Sequence, residues 1–415
     1  MIENIKKTDP DIAKALAAEL NRQRNVLELI PAENFVSLAV LEAMGSIATN
    51  KYSEGYPGKR YYGGNEHIDE IERIAISRAR KLFGCDHANV QPLSGAPANI
   101  AVYFALLEQG DTILGMDLSH GGHLTHGHPV THMSKIFKFV RYKMDKKTGL
   151  IDFDMVRNLA REHRPKLILA GYSAYPRDLD YKQFKEIADE VGAYTMADIA
   201  HIAGPVCTGL MNDPVPHFDV ITTTTHKTLR GPRGAIIMCK QEFAEKIDKS
   251  VFPGFQGGPH EHQIAAKAVA FKEALQPEFK NYCRQMLSNA KTLAAALMDK
   301  DFSLITNGTD NHLMLVDLTN KNISGGHAEA ALDKAGITVN KNMIPDDTRK
   351  PMDPSGIRLG TPAMTTRGLG HEEMIEIAGY ISDIIGNDNP RVIEKTRNAI
   401  RELCSRFPLY PELKY

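Results

Sequence analysis

Between about residues 66 and 240 the sequence alternates between two periodicities, and this restricts the fold more than any other feature. Short apolar, β-branched runs at 112–116, 137–142, 166–170, 194–197, 220–223 and 235–239 have the length and composition of buried strands. Between them lie stretches with helical spacing, at 154–163 and 182–191, preceded by Ile68, Ile71, Ile74, Ala75, Ala79 and Leu82. Strand–helix alternation of this kind predicts an α/β fold: a mainly parallel sheet covered by helices on both faces.

The flanking regions are organised differently. Apolar residues Ile12, Ala13, Leu16, Ala17 and Leu20 predict an amphipathic helix from Asp9 to about Leu29, which Ile30-Pro31 breaks. Residues 50–64 hold four tyrosines, four glycines and a proline, the composition of a long loop, and long loops in compact domains are usually functional. Beyond Lys240 the spacing predicts helices at 261–275 and 279–299. A smaller α/β unit follows, with strands at 312–318 and 336–339, a helix at 327–334, a strand and turn at 355–362, and helices at 371–386 and 391–406. The division expected is an N-terminal helical arm and loop over 1–65, a large α/β domain over 66–278 and a small α/β domain over 279–415.

A formal net charge of −1 gives no reason to expect a nucleic-acid or membrane-surface partner. No apolar run is long enough to span a bilayer, and the first residues have no signal-peptide pattern. The five cysteines, Cys85, Cys207, Cys239, Cys283 and Cys404, are scattered and form no C-x-x-C pair. A disulfide framework and a cysteine zinc site are therefore not expected, and the cytoplasm is the natural compartment.

The chemistry concentrates in a few places. In Thr222-Thr223-Thr224-Thr225-His226-Lys227-Thr228-Leu229-Arg230-Gly231-Pro232-Arg233-Gly234 one lysine lies among a histidine and two arginines, between two buried strands. Like charges disfavour its protonated form, and a neutral lysine amine is a nucleophile suited to an aldehyde cofactor. From this stretch alone a solvated basic loop is an equal reading. Asp198 closes a buried strand, and ligands of open α/β sheets sit beyond the carboxyl ends of strands; a helix cap would also use an aspartate there. Ser94-Gly95-Ala96-Pro97 lies at a strand-to-helix junction, where free N–H groups can cradle a phosphate. Residues 119–132 contain five histidines. No acidic or cysteine ligand is interleaved and the glycines argue for a loop, so a histidine packed on a planar ligand fits better than zinc. A lysine, a strand-end aspartate, a phosphate-type turn, a stacking histidine and the isolated Arg358 are the parts that pyridoxal phosphate chemistry requires.

With these parts assembled, the chain resembles the serine hydroxymethyltransferases over nearly its whole length. The resemblance is carried by residues 50–64, 120–127, 198–204, 222–234, Gly257-Gly258-Pro259, Thr309-Asp310-Asn311-His312 and 357–363. It implies fold type I of the pyridoxal-phosphate enzymes, with a mainly parallel seven-stranded sheet flanked by helices in the large domain and a smaller C-terminal α/β domain. It also implies a homodimer with shared active sites. The implied reaction is reversible conversion of L-serine and tetrahydrofolate, or a related pterin, to glycine and the methylene-carrying pterin. An α-methylserine hydroxymethyltransferase or a threonine-aldolase-type enzyme is the alternative.

By that resemblance Lys227 holds the cofactor as a Schiff base, Asp198 pairs with the pyridine nitrogen, His123 stacks on the ring, and His201 lies near the cofactor and substrate. His226 tunes the substrate, and Thr224 touches the cofactor. Ser94, Gly95, Ala96, and Gly257 and Gly258 of a second subunit occupy phosphate-side positions. Tyr52 and Glu54 are donated across the dimer, Glu54 as an acid–base group. Arg358, Tyr62, Ser173, Arg233 and Ala32 match substrate positions, and Leu118, Gly122, Leu124, Tyr61 and Asn342 match the folate site, as do His123 and Glu54. No metal is implied. The sequence departs from the family at Ala32 and Ala96, where serine is usual. Each missing hydrogen bond to a charged group is worth about 1.5–3 kcal/mol, which bears on substrate affinity and identity.

Overall fold

The computed structural model describes residues 2–414. The chain forms two compact units, one from residues 36–284 and the other from residues 1–35 and 285–415. The division falls inside the helix Pro277–Met298.

The larger unit is built on seven strands: β1 (His87–Asn89), β2 (Thr112–Met116), β3 (Lys138–Tyr142), β4 (Leu167–Gly171), β5 (Tyr194–Asp198), β6 (Val220–Thr224) and β7 (Ala235–Cys239). Their order across the sheet is β1-β7-β6-β5-β4-β2-β3. The block β3, β2, β4, β5, β6 is parallel throughout, while β7 runs antiparallel to both β6 and β1. The sheet is thus mixed, with one reversed strand. All five residues of β4, β6 and β7 are buried, as expected of central strands covered on both faces. The edge strand β1 escaped the sequence reading because His87-Ala88-Asn89 has neither β-branched residues nor alternation.

Local chemistry fixes the covering helices, α1 (Glu66–Phe83), α2 (Gly95–Leu106), α3 (Phe153–His163) and α4 (Tyr181–Val191). Asp152 and Asp180 accept from first-turn N–H groups of α3 and α4, and α1 and α4 end on the left-handed glycines Gly84 and Gly192. Helix α2 is apolar nearly all round, the pattern of a buried helix, and its Ala98, Ala101, Val102 and Tyr103 join the main core beside Leu167, Met196 and Val220. Helix α5 (Glu261–Ala274) packs chiefly on α1.

The smaller unit holds a four-stranded antiparallel sheet in the order Ser303–Leu304, Leu313–Asp317, Gly356–Gly360, Asn340–Asn342. After a short helix over Glu3–Thr8, the helix expected from Asp9 spans Pro10–Asn25 and stops four residues short of the expected Leu29. Leu27–Glu28 instead forms a short parallel strand with Ile337–Thr338. Arg367 accounts for the stop. Its guanidinium donates to the carbonyls of Gln23, Arg24 and Val26, and also to Cys404 and Phe407, so the exposed helix-end carbonyls find partners without another turn. Among the described residues, no helix is long and apolar enough to cross a membrane.

Candidate active site

Because β2, β4, β5 and β6 are parallel, their carboxyl ends share one edge of the sheet. Asp198 is the last residue of β5 and Lys227 lies three residues past β6. The two segments are stitched together. Ile199 N–H donates to Thr222 O, and Thr224 Oγ1 donates to Ala200 O at 3.4 Å. Thr228 Oγ1 donates to His201 O at 3.1 Å and accepts from Gly204 N–H at 3.0 Å. His201 is buried in this seam.

The Lys227 loop folds back on itself through Thr225, whose N–H donates to Gly234 O and whose hydroxyl donates to Pro232 O. Lys227 is only 8% exposed, so the solvated-loop reading is set aside. Arg230 turns to an aromatic pair, its guanidinium 4.3 Å from the Tyr282 ring and 5.5 Å from Phe279. Arg233 and Lys227 act on His226. Burial first, then those two charges, push the His226 imidazolium down to about 3, so the ring is neutral. Its Nδ1 is a buried atom without a hydrogen-bond partner among the described residues, a group ready for a ligand.

Asp198 is the most heavily supported group. Its Oδ2 accepts from Asn99 Nδ2 at 2.9 Å and pairs with His126 Nε2 at 3.1 Å, and its Oδ1 accepts from Ala200 N–H. Burial alone would raise its pKa. The hydrogen bond from His126, the electrostatic influence of the His126 and His123 rings, and the Asn99 amide outweigh burial and hold the carboxyl well below its usual range. Asn99 is itself held by Thr222 Oγ1 at 2.7 Å and donates to Thr125 Oγ1 at 2.9 Å. Thr125 contacts His123 Nδ1 at 2.8 Å, which sets the plane of that ring.

His123, His126 and Asp198 place three potential ligand atoms within 4.8 Å of one another, so an acid does join the histidines in space although none is interleaved in sequence. Two of them, His126 Nε2 and Asp198 Oδ2, are engaged with each other, and His123 Nδ1 with Thr125 Oγ1. His126 Nδ1 accepts the His123 N–H, which leaves the Nε2 proton to face Asp198.

The phosphate-type turn also takes shape. Ser94 is the N-cap of α2, yet its hydroxyl does not bond to the helix's own N–H groups, leaving them for an anion. A Cβ on Gly95 would lie 2.8 Å from Thr224 Cγ2, so only glycine lets this turn approach the end of β6. Ala96 follows in the first turn. Gln256 grips the approach, donating to Gln91 O and accepting from Leu93 N–H, and so ties the turn to the segment leading to Gly257 and Gly258.

The loop beyond β2 brings Leu118, Gly122, His123 and Leu124 to the same edge. It meets the loop beyond β4 where Ser173 N–H donates to Gly121 O at 2.6 Å. A separate cluster gathers Tyr52, Glu54, Tyr62, Gly257 and Gly258. Tyr52 OH donates to Glu54 Oε1 at 3.1 Å, the Tyr52 and Tyr62 rings meet edge to face at 5.0 Å, and a Cβ on Gly257 would stand 3.3 Å from Glu54 Oε1. Tyr61 packs on Phe252. Tyr52 remains 54% exposed, Tyr61 73% and Tyr62 49%. The loop over 50–64 contains a two-residue-strand hairpin, Gly55–Tyr56 with Lys59–Arg60.

Ala32, Asn342 and Arg358 belong to the smaller unit. There Arg358 Nε donates to Asn340 Oδ1 at 3.1 Å, and burial pushes its guanidinium down to about 10. Sequence reasoning missed Asn99, Thr125, His126 and Gln256. Asn99 had a signal, being the single amide in an otherwise apolar helix, and His126 lay within the matching segment 120–127 but was given no role.

A mostly parallel α/β sheet carrying a buried lysine and a strand-end aspartate at its carboxyl edge, beside a helix N-terminus without a side-chain cap bond, together with the family match, defines a fold type I pyridoxal-phosphate enzyme. The sequence model of the family described as serine hydroxymethyltransferase matches residues 5–381, and the chain belongs to that family. It is accordingly a pyridoxal-phosphate-dependent one-carbon transferase.

Proposed function

We propose that the protein interconverts L-serine and glycine, with tetrahydrofolate taking the hydroxymethyl carbon as 5,10-methylenetetrahydrofolate. The observation that carries this reading is the Asp198 network, which keeps a carboxylate ionised at the sheet edge next to the Lys227 loop. Pyridoxal phosphate supplies a reactive aldehyde and a ring that accepts carbanion electrons when its nitrogen is protonated. Asp198 holds the proton at that nitrogen. Lys227 provides the amine for the aldehyde carbon, and its side chain is buried at the sheet edge beside Asp198. Ser94, Gly95 and the first-turn N–H groups of α2 take the phosphate, with Ala96 and Thr224 beside them. His123 lies on the ring face, and His201 and Ser173 border the cofactor and substrate.

Arg358 binds the substrate carboxylate bidentately, Arg233 and the neutral His226 shape the amino-acid pocket, and Ala32 leaves room where a hydroxyl would bond. Glu54 moves the proton at the substrate hydroxyl, while Leu118, Gly122, Leu124, Tyr61 and Asn342 accept the pterin. The exposed cluster of Tyr52, Glu54, Tyr62, Gly257 and Gly258 serves the active site of a second copy in a homodimer. Five free thiols suit the reducing cytoplasm.

The test is the visible absorbance of the purified holoenzyme, lost in Lys227→Ala, together with serine cleavage that requires tetrahydrofolate. Ala32 and Ala96 favour a second reading, a bulkier β-hydroxy amino acid as substrate. Faster turnover of α-methylserine or threonine than of serine, or serine turnover indifferent to tetrahydrofolate, would overturn the first reading in favour of the second.

A further inference from the structure

Lys267, on α5, is 1% exposed, and its ammonium donates to three backbone carbonyls: Val90 at 2.7 Å, Pro92 at 3.0 Å and Ala235 at 2.9 Å. Three acceptors match the three N–H bonds of an ammonium and exceed the two of a neutral amine. No salt bridge is formed by Lys267 among the described residues, and its nearest charged influences are the buried Glu72 and Glu261. Burial pushes the group down to about 7 against those two carboxylates. A cation buried without a paired carboxylate is costly, and an apolar side chain would fill the same space.

What the three carbonyls share is their position. Val90 and Pro92 lead directly into the Ser94–Gly95 turn. Ala235 opens β7 just after Gly234, whose carbonyl closes the Lys227 loop by accepting from Thr225 N–H. Pro92 O also accepts the Ala235 N–H at 3.1 Å, so the ammonium sits on a direct hydrogen bond between the turn's approach and the loop's exit. Gly234 is shaped to this contact: a Cβ there would stand 2.5 Å from Lys267 Cε and 3.1 Å from Nζ.

We propose that Lys267 is a positioning residue that locks the Ser94–Gly95 turn to the Lys227 loop and thereby fixes the distance between a bound cofactor phosphate and the lysine amine. All three of its donors are used by backbone, so it acts on the cofactor only through these two segments. The inference rests on the reading that the turn at residues 94–95 holds the phosphate.

The experiment titrates apoenzyme with pyridoxal phosphate and with pyridoxal, following visible absorbance, and takes the ratio of the two dissociation constants as the phosphate contribution. Ser94→Asp keeps a good helix cap but repels a phosphate, so its ratio collapses if the reading is right. Lys267→Met is expected to lower the ratio by at least about tenfold while the pyridoxal constant moves less than about threefold. Equal weakening of both ligands, or an unchanged ratio beside a collapsed ratio in Ser94→Asp, overturns the role of Lys267 alone. An unchanged ratio in Ser94→Asp removes the phosphate reading and the inference with it. Should Lys267→Met not fold, Gly234→Ala decides: its methyl displaces the ammonium from the other side, and an unchanged ratio there overturns the proposal.

Discussion

His126 donates from Nε2 to Asp198 Oδ2 across 3.1 Å, and the other side of its ring fixes the direction of that bond. Nδ1 accepts the backbone N–H of His123 at 3.2 Å, so the ring proton that faces Asp198 is on Nε2. A backbone turn in the histidine-rich loop thus sets the tautomer that keeps a strand-end carboxylate charged. With Asn99 donating to the same oxygen and Ala200 N–H to Oδ1, Asp198 carries two donors on Oδ2 and one on Oδ1, so Oδ1 keeps room for one further donor such as the proposed ring N–H.

If Asp198 pairs with the ring nitrogen as proposed, replacing it by alanine removes the charge that stabilises a protonated ring and little of the cofactor's other contacts. Serine cleavage is expected to fall by about 10²–10³-fold, while cofactor affinity changes far less. Steady-state kinetics beside cofactor titration separate the two, and wild-type-like turnover would count against the assignment of Asp198.

His126→Phe keeps a ring of similar size and removes the donor. The Asp198 carboxyl, held low in the folded protein, contributes stability above its unfolded pKa, and that contribution is lost as pH falls through the folded value. Losing that charge-assisted bond lets the carboxyl rise, so the acid limb of the stability–pH profile, followed by denaturation midpoint, shifts to higher pH than in the wild type. An acid limb that stays in place would show that His126 does not support the charge.

The parallel sheet, the lysine loop and the strand-end aspartate were legible because each rests on local sequence: β-branched runs of five residues, and polar groups placed just past them. The Asp198 network was not, because its members come from α2, β5, β6 and the loop after β2, and only the folded register brings Asn99, Thr125 and His126 together. The early end of the helix over Pro10–Asn25 was hidden for the same reason. Its cause is Arg367, more than three hundred residues away in sequence, and helical spacing alone runs on past Asn25. The one reversed strand, β7, was equally invisible, since a buried apolar run reads alike in either direction.

Arg358 presents a planar fork that lysine cannot reproduce, and Asn340 fixes its Nε. Arg358→Lys is expected to raise KM for serine by about 10- to 100-fold, the cost of one charge-assisted hydrogen bond, with a smaller effect on kcat. Initial rates over a range of serine concentrations check this, and an unchanged KM would place the carboxylate elsewhere.

If Tyr52, Glu54, Gly257 and Gly258 complete a second copy's site, two inactive variants must complement each other. Lys227→Ala mixed with Glu54→Gln, unfolded and refolded together in equal amounts, gives hybrid dimers in which one site carries both changes and the other carries neither. About a quarter of wild-type activity is expected to return. No recovery, with hybrid dimers demonstrated by mass, would place Glu54 in the active site of its own chain.

Glu261 lies behind that cluster, 1% exposed, and accepts from Ser53 Oγ at 2.6 Å through Oε1, while Oε2 has no partner among the described residues. Glu72, wholly buried, is held by Arg60 at 2.6 Å and Gln91 at 2.8 Å, with Asp69 on the other side of Arg60. Burial, and then the Glu72 carboxylate, push Glu261 up to about 7 from 4.5. A raised carboxyl means that the folded protein binds more protons than the unfolded chain between those values. The stabilisation is complete below about pH 4.5 and is lost as pH rises through about 7, a change of about 3 kcal/mol. Glu261→Gln keeps an amide in place of the neutral acid and cannot ionise. Its denaturation midpoint, compared with wild type at about pH 5 and about pH 8, is expected to gain on the wild type at the higher pH. A difference between the two proteins that does not change with pH would mean that Glu261 stays charged, and that the Ser53 link between Tyr52 and Glu54 does not respond to protons in this range.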